Sequence, residues 1–145
     1  MKILTGIFLM FAFLVVGELN AEVRRDGGAG LGVVAVHDLK LKAGVSEKDF
    51  ESFIENEWLP MYSKIKGLDA FLAKGDRGVR TGEYSLILTF ESIEDRNRIY
   101  PASGETSEEI SKIQDDINSL WEKFEPMSEG LGETFTDYVR IGNIQ

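Results

Sequence analysis

The feature that most constrains this chain is a change of hydrophobic period, made twice over, between residues 33 and 141. Residues Val33 to Leu41 (VVAVHDLKL) are rich in β-branched side chains and read as a strand. After a turn at Ala43-Gly44 the period becomes helical: Phe50, Phe53, Ile54, Trp58, Met61 and Ile65 recur at steps of three and four. Ser46 and Asp49 form a capping pair ahead of that stripe. Pro60 falls inside it, removes a backbone donor and predicts a kink, or a split after Leu59. Gly67 ends the helix. Leu68 to Lys74 and Glu83 to Phe90 are the next strands, joined as a hairpin by the glycine-rich loop 75–82 with its Arg77 and Arg80. Ser92 caps a short helical segment stopped by Pro101. A longer helix runs from Ser107 to about Phe124, striped by Ile110, Ile113, Ile117, Leu120, Phe124 and Met127. That stripe covers under three heptads, so it reads as a helix packed on its own sheet rather than a coiled coil. Thr134 to Ile141 is the last strand.

Strand–helix–strand–strand–helix–strand with right-handed crossovers folds most simply into an α+β ferredoxin-like βαββαβ unit: a four-stranded antiparallel sheet with both helices on one face. One layer of helices leaves the other face bare. In the third strand Tyr84, Leu86, Leu88 and Phe90 share one face, and Glu83, Ser85, Ile87 and Thr89 the other. In the first strand, Val33, Ala35, His37, Leu39 and Leu41 oppose Val34, Val36, Asp38 and Lys40. The second divides Leu68, Ala70 and Leu72 from Phe71 and Ala73. Either choice puts aliphatics on the bare face, and such a patch marks an interface or a ligand surface. Two of these sheets packed face to face would cover each other and enclose a cavity, which predicts a homodimer.

The element order, the helix carrying Trp58-Leu59-Pro60 and the closing long helix resemble the dimeric α+β barrel superfamily. That group includes antibiotic-biosynthesis monooxygenases, stress-responsive barrel proteins and NIPSNAP-type domains. The resemblance covers about residues 33–141. The segments KGDRG and EYSLILTFES, with the arginine-tyrosine-proline stretch after them, are also similar to exported bacterial proteins of unassigned function. Haem-degrading relatives are expected to use a helical histidine as iron ligand; the helices here carry none, which speaks against that activity.

The first residues predict an address. Lys2, an apolar run from Ile3 to Val16 and the more polar Gly17 to Ala21 follow the order of a secretory signal. At about 1.5 Å per residue the run reaches roughly 21 Å, short of the ~30 Å a membrane span needs. Cleavage near Ala21 would release the protein to the periplasm or the medium. The expected domains are therefore a signal peptide at 1–21, a flexible glycine-rich lead-in at 22–32 and one α+β barrel domain at 33–145. With no cysteine the domain must hold together by its core alone, and a lipid anchor on an N-terminal thiol is excluded. The net charge of −9 resides in residues 91–137, which carry 13 acidic and 4 basic side chains. Such a field repels phosphate backbones and anionic lipid, so neither nucleic acid nor, after signal cleavage, a membrane is an expected partner.

Chemistry is thinly marked. His37 is the only histidine and sits mid-strand, facing either the helices or the cavity; packing is the commoner role for such a residue. One histidine and no cysteine make a zinc site improbable, and the carboxylates follow no calcium loop, so no metal and no cofactor are expected. No nucleophile elbow, P-loop or dinucleotide fingerprint occurs. Arg77 and Arg80 are either a clamp for a carboxylate or phosphate or solubilising charges at a hairpin tip. Trp58, Tyr62, Tyr84 and Tyr138 are either cavity walls or core. The candidate ligand-binding residues are thus His37, Trp58, Tyr62, Arg77, Arg80, Tyr84 and Tyr138, with no catalytic residue assigned. Three readings stay open. The leading one is an exported homodimer that binds a small aromatic or amphipathic ligand between its sheets. The others are a cofactor-independent monooxygenase or isomerase, and a structural or protein-binding module.

Overall fold

The computed structural model describes residues 32–132 and 134–141; the expected signal segment 1–21 and all of the expected lead-in but Gly32 lie outside the described residues. Strands β1 (Val33–Leu41) and β2 (Leu68–Lys74) have the bounds read from the sequence, and β3 (Tyr84–Phe90) begins one residue later. β2 and β3 form the expected hairpin, and β1 pairs antiparallel with β3 from Val33↔Phe90 to Leu39↔Tyr84.

The first helix departs from expectation in where it breaks. Helix α1 (Glu47–Phe53) starts at Ser46, whose hydroxyl accepts the Asp49 N–H at 3.4 Å. The chain then widens into a π-helical turn, Ile54–Trp58, before α2 (Leu59–Tyr62). Pro60 lacks an N–H, and its ring crowds the carbonyl four residues back. The wide turn places the irregularity before the proline, with the Leu59 N–H reaching the Ile54 carbonyl. All six residues of the predicted stripe are buried. Gly67 (φ +83°) ends the connection, and a Cβ there would lie 2.9 Å from the Asp95 carboxylate.

The second helical region is α3 (Ile93–Ile99), α4 (Glu108–Lys112) and α5 (Gln114–Phe124). The expected single long helix is broken at Ile113, which leaves helical geometry (φ −111°, ψ 9°) while its side chain stays 2% exposed. The hydrophobic stripe survives the break because Ile113 is the pivot. Two strands follow where one was expected. β4 (Ser128–Glu129) and β5 (Phe135–Val139) both pair antiparallel with the same edge of β1, Leu41↔Ser128 at one end and Val33↔Val139 at the other. Between them the chain bulges past Gly130 (φ +101°), where a Cβ would sit 2.5 Å from the Asp38 carbonyl oxygen.

The sheet order is therefore β2-β3-β1 with β4 and β5 on the far edge, the antiparallel ferredoxin-like plan with a split last strand. The core lies between the helices and the inner face, where Val33, Ala35, Leu39, Tyr84, Leu86, Leu88 and Phe90 are all buried. Phe50 meets the Tyr84 ring edge-on at 5.2 Å, and Trp58 lies 5.0 Å from Phe124. Burying each such side chain contributes about 1.5–3 kcal/mol.

Candidate functional site

The register assigns the other face without ambiguity. Three rows cross it from β5 to β2: Tyr138, Val34, Thr89 and Asp69; then Thr136, Val36, Ile87 and Phe71; then Asp38, Ser85 and Ala73 from β1 onward. The central strands β1 and β3 thus present short or β-branched side chains, while the flanking strands carry the aromatics. Phe71 on β2 is 46% exposed and Tyr138 on β5 is 57% exposed. Tall groups at the rim and short ones in the middle make a shallow trough with an apolar floor and three hydroxyls.

One end of the trough is closed by charge. From the hairpin loop, Arg80 folds back over β1 and β3 and donates to Asp38 at 2.6 Å, to Glu83 at 2.9 Å and, more weakly, to the Ser85 hydroxyl at 3.5 Å. Arg77 is not with it. It sits at the loop tip with 91% of its side chain exposed and pairs with its neighbour Asp76. The two arginines do not form a joint clamp.

The remaining candidates are on the other side of the sheet. Tyr84 is buried against Phe50, donates its hydroxyl to Glu51 at 2.6 Å and has Lys74 5.0 Å above its ring. Trp58 and Tyr62 belong to the helical layer and are buried. Burial pushes the Tyr62 hydroxyl up to about 12, with the facing Trp58 and Tyr100 groups pulling weakly the other way. The Trp58 indole N–H has no well-aligned hydrogen-bond partner. His37 points to the inner face, stacked on Phe135 at 5.3 Å with its Nδ1 buried and unpartnered. Desolvation lowers its pKa, against opposition from Asp137 and then Asp38. Beside it Arg96 reaches from α3 to Asp137 at 2.5 Å, a part-buried pair that sequence reading missed because 41 residues separate the partners.

Of the seven sequence candidates, only Arg80 and Tyr138 stand on the outer face, at different ends of it. The structure adds Phe71, Ile87, Val34 and Val36 as its apolar lining. Elsewhere a shallow groove of about 380 Å³ runs between Lys64, Lys66, Arg98 and Lys112, but Asp95 and Glu109 line it too and both bind Arg98. Among the described residues no cluster of three His, Cys, Asp or Glu side chains is placed to hold a metal ion.

No family model matches the sequence, and no curated protein matches it. Among solved structures, the chain is similar to a NIPSNAP family protein of unknown function from Agrobacterium tumefaciens. The identity is 15% and the TM-score 0.51, over 82% of this chain and 97% of that one. A dimeric protein of unknown function with a ferredoxin-like fold from Bacteroides fragilis aligns over 77% of this chain and 99% of its own, at 14% identity and a TM-score of 0.43. The Agrobacterium protein bears out the α+β, ferredoxin-like fold read from the sequence, and the likeness is one of fold alone.

Proposed function

We propose that this protein is an exported homodimer whose two outer sheet faces pack together and hold a small aromatic or amphipathic ligand between them. The observation that carries the reading is the outer face itself: an apolar trough with Phe71 and Tyr138 on its rim and, among the described residues, no helix upon it. With strands about 4.8 Å apart and about 3.4 Å per residue, four strands of five residues give a footprint of roughly 330 Å². That flat footprint, before any side-chain relief, is about two-fifths of the ~800 Å² per partner of a standard interface. Rim aromatics would make the contact between copies. The short central side chains would leave room, as eight-stranded barrels do for one small ligand. Export rests on the pattern of residues 1–21.

No specific observation favours the enzymatic alternative, since His37 faces away from the trough. Sedimentation equilibrium at micromolar concentration tests the assembly, and native mass spectrometry of the same sample tests the occupant. A dimer carrying a small molecule is expected; a stable monomer contradicts the proposal.

A further inference from the structure

Resting on that dimeric reading, the geometry points to an uncharged ligand for the trough: a ring system bearing a hydroxyl or carbonyl oxygen, not a carboxylate, phosphate or amine. Arg80 and Lys40, cations on the outer face, already have carboxylate partners. Arg80 spans β1 and β3 at one end, but Asp38 and Glu83 hold it at 2.6 and 2.9 Å, two carboxylates to one guanidinium. Lys40, on the same face of β1, lies 3.5 Å from Glu129 and is four-fifths exposed, and Arg140, two residues beyond Tyr138 in the same alternation, is engaged as well. At the opposite end stands Asp69, in the same row as Thr89 and Val34, its Oδ1 accepting the Ala70 N–H.

An anion entering this trough would shed its water and find the guanidinium already matched, with a further carboxylate beyond it. Burying an unpaired charge is far costlier than burying a hydrogen-bonded neutral group. A cation would have to leave water for a floor of Val34, Val36 and Ile87 that offers it no acceptor, because the carboxylates stand only at the two ends, Asp38 and Glu83 on Arg80 and Asp69 opposite. The groups that remain for recognition are hydroxyls, on Ser85, Thr89 and Thr136, each able to donate and to accept. They suit an alcohol, phenol or ketone oxygen, and the rim aromatics Phe71 and Tyr138 suit its ring.

Three probes of one shape separate the classes: 1-naphthol, 1-naphthoate and 1-naphthylmethylammonium, titrated calorimetrically into the full-length mature protein, with its mass measured by sedimentation in each case. The expected result is a dimer that binds 1-naphthol at least tenfold tighter than either ion. The Asp38→Asn/Glu83→Gln double substitution frees Arg80, and 1-naphthoate should then gain at least threefold in affinity. Val36→Phe, which fills the trough floor, should abolish binding of 1-naphthol. A dimer that binds either ion as tightly as 1-naphthol overturns the ligand class and leaves the assembly standing. A dimer that binds none of the three, or one whose binding survives Val36→Phe, also overturns it. A monomer overturns the assembly on which the inference rests.

Discussion

The two faces of the sheet are built from the same strands yet solve different problems. On the inner face, residues two apart are large and interlocked, so that Leu86, Leu88 and Phe90 on β3 meet Val33, Ala35 and the helical aromatics with almost no exposure. On the outer face the same alternation puts Ser85, Ile87 and Thr89 beside Val34 and Val36, too small to cover one another. If the proposed dimer forms, an inner substitution therefore acts on folding, whereas an outer one acts on association.

That contrast breaks most visibly at Trp58. It is 2% exposed and touches Phe53, Trp121 and Phe124, so Trp58→Ala should destabilise the protomer by roughly 3–5 kcal/mol in chemical denaturation. A loss below about 1 kcal/mol would remove Trp58 from the core. On the outer face, Ile87→Lys should leave the protomer within about 1 kcal/mol of wild type. It should weaken the dimer at least a hundredfold, about 2.7 kcal/mol. Equal damage to folding and assembly would mean that the outer face is not a separate surface.

Gly67 belongs to the inner layer through its backbone. Its φ of +83° disfavours any side chain, and a Cβ would press on the Asp95 carboxylate, which the Ser92 hydroxyl and Arg98 hold well ionised. Gly67→Ala should cost the protomer about 1–2 kcal/mol and leave dimerisation unchanged.

The smallest effect is a pH slope from His37. Burial lowers its pKa below the ordinary 6.5, so the unfolded chain binds the extra proton first and stability falls as pH drops below about 6.5. The slope from one proton is at most about 1.4 kcal/mol per pH unit. His37→Gln should flatten the stability curve between pH 5 and 6.5. The losses from Asp95 and Glu109, whose pKa values are held low, should appear only below about pH 4.5. No change in slope would mean that His37 is solvated.

Much of the fold was legible because it rests on period. The alternation in β1, β2 and β3 located those strands to within a residue, and the six-residue stripe from Phe50 to Ile65 located the first helix. What the period cannot carry is a backbone detail that leaves the stripe intact. The π-helical turn at Ile54–Trp58 and the pivot at Ile113 both keep their buried residues in phase, so hydrophobicity does not register either. β4 is two residues long, too short to alternate. The site was less legible because alternation divides a strand into two sets without saying which set meets the helices. Tyr84 and His37 therefore stood as cavity candidates until the register placed them inward. Arg80 shows the other limit: Glu83 is three residues away and visible, but Asp38 reaches it only through the β1–β3 pairing.

Because the chain has no cysteine, a single label can be placed on either face, and the distance between labels in the assembly decides what covers the trough. With Thr89→Cys on the outer face and Asn118→Cys on the exposed side of α5, each spin-labelled, pulsed dipolar spectroscopy reads the separation between copies. Sheets packed face to face lie about 10 Å apart. A short, narrow distance is expected for the Thr89 label, and a distance longer by at least two helix diameters, about 20 Å, for the Asn118 label. A short distance from Asn118, or no dipolar coupling at all from Thr89, would contradict it.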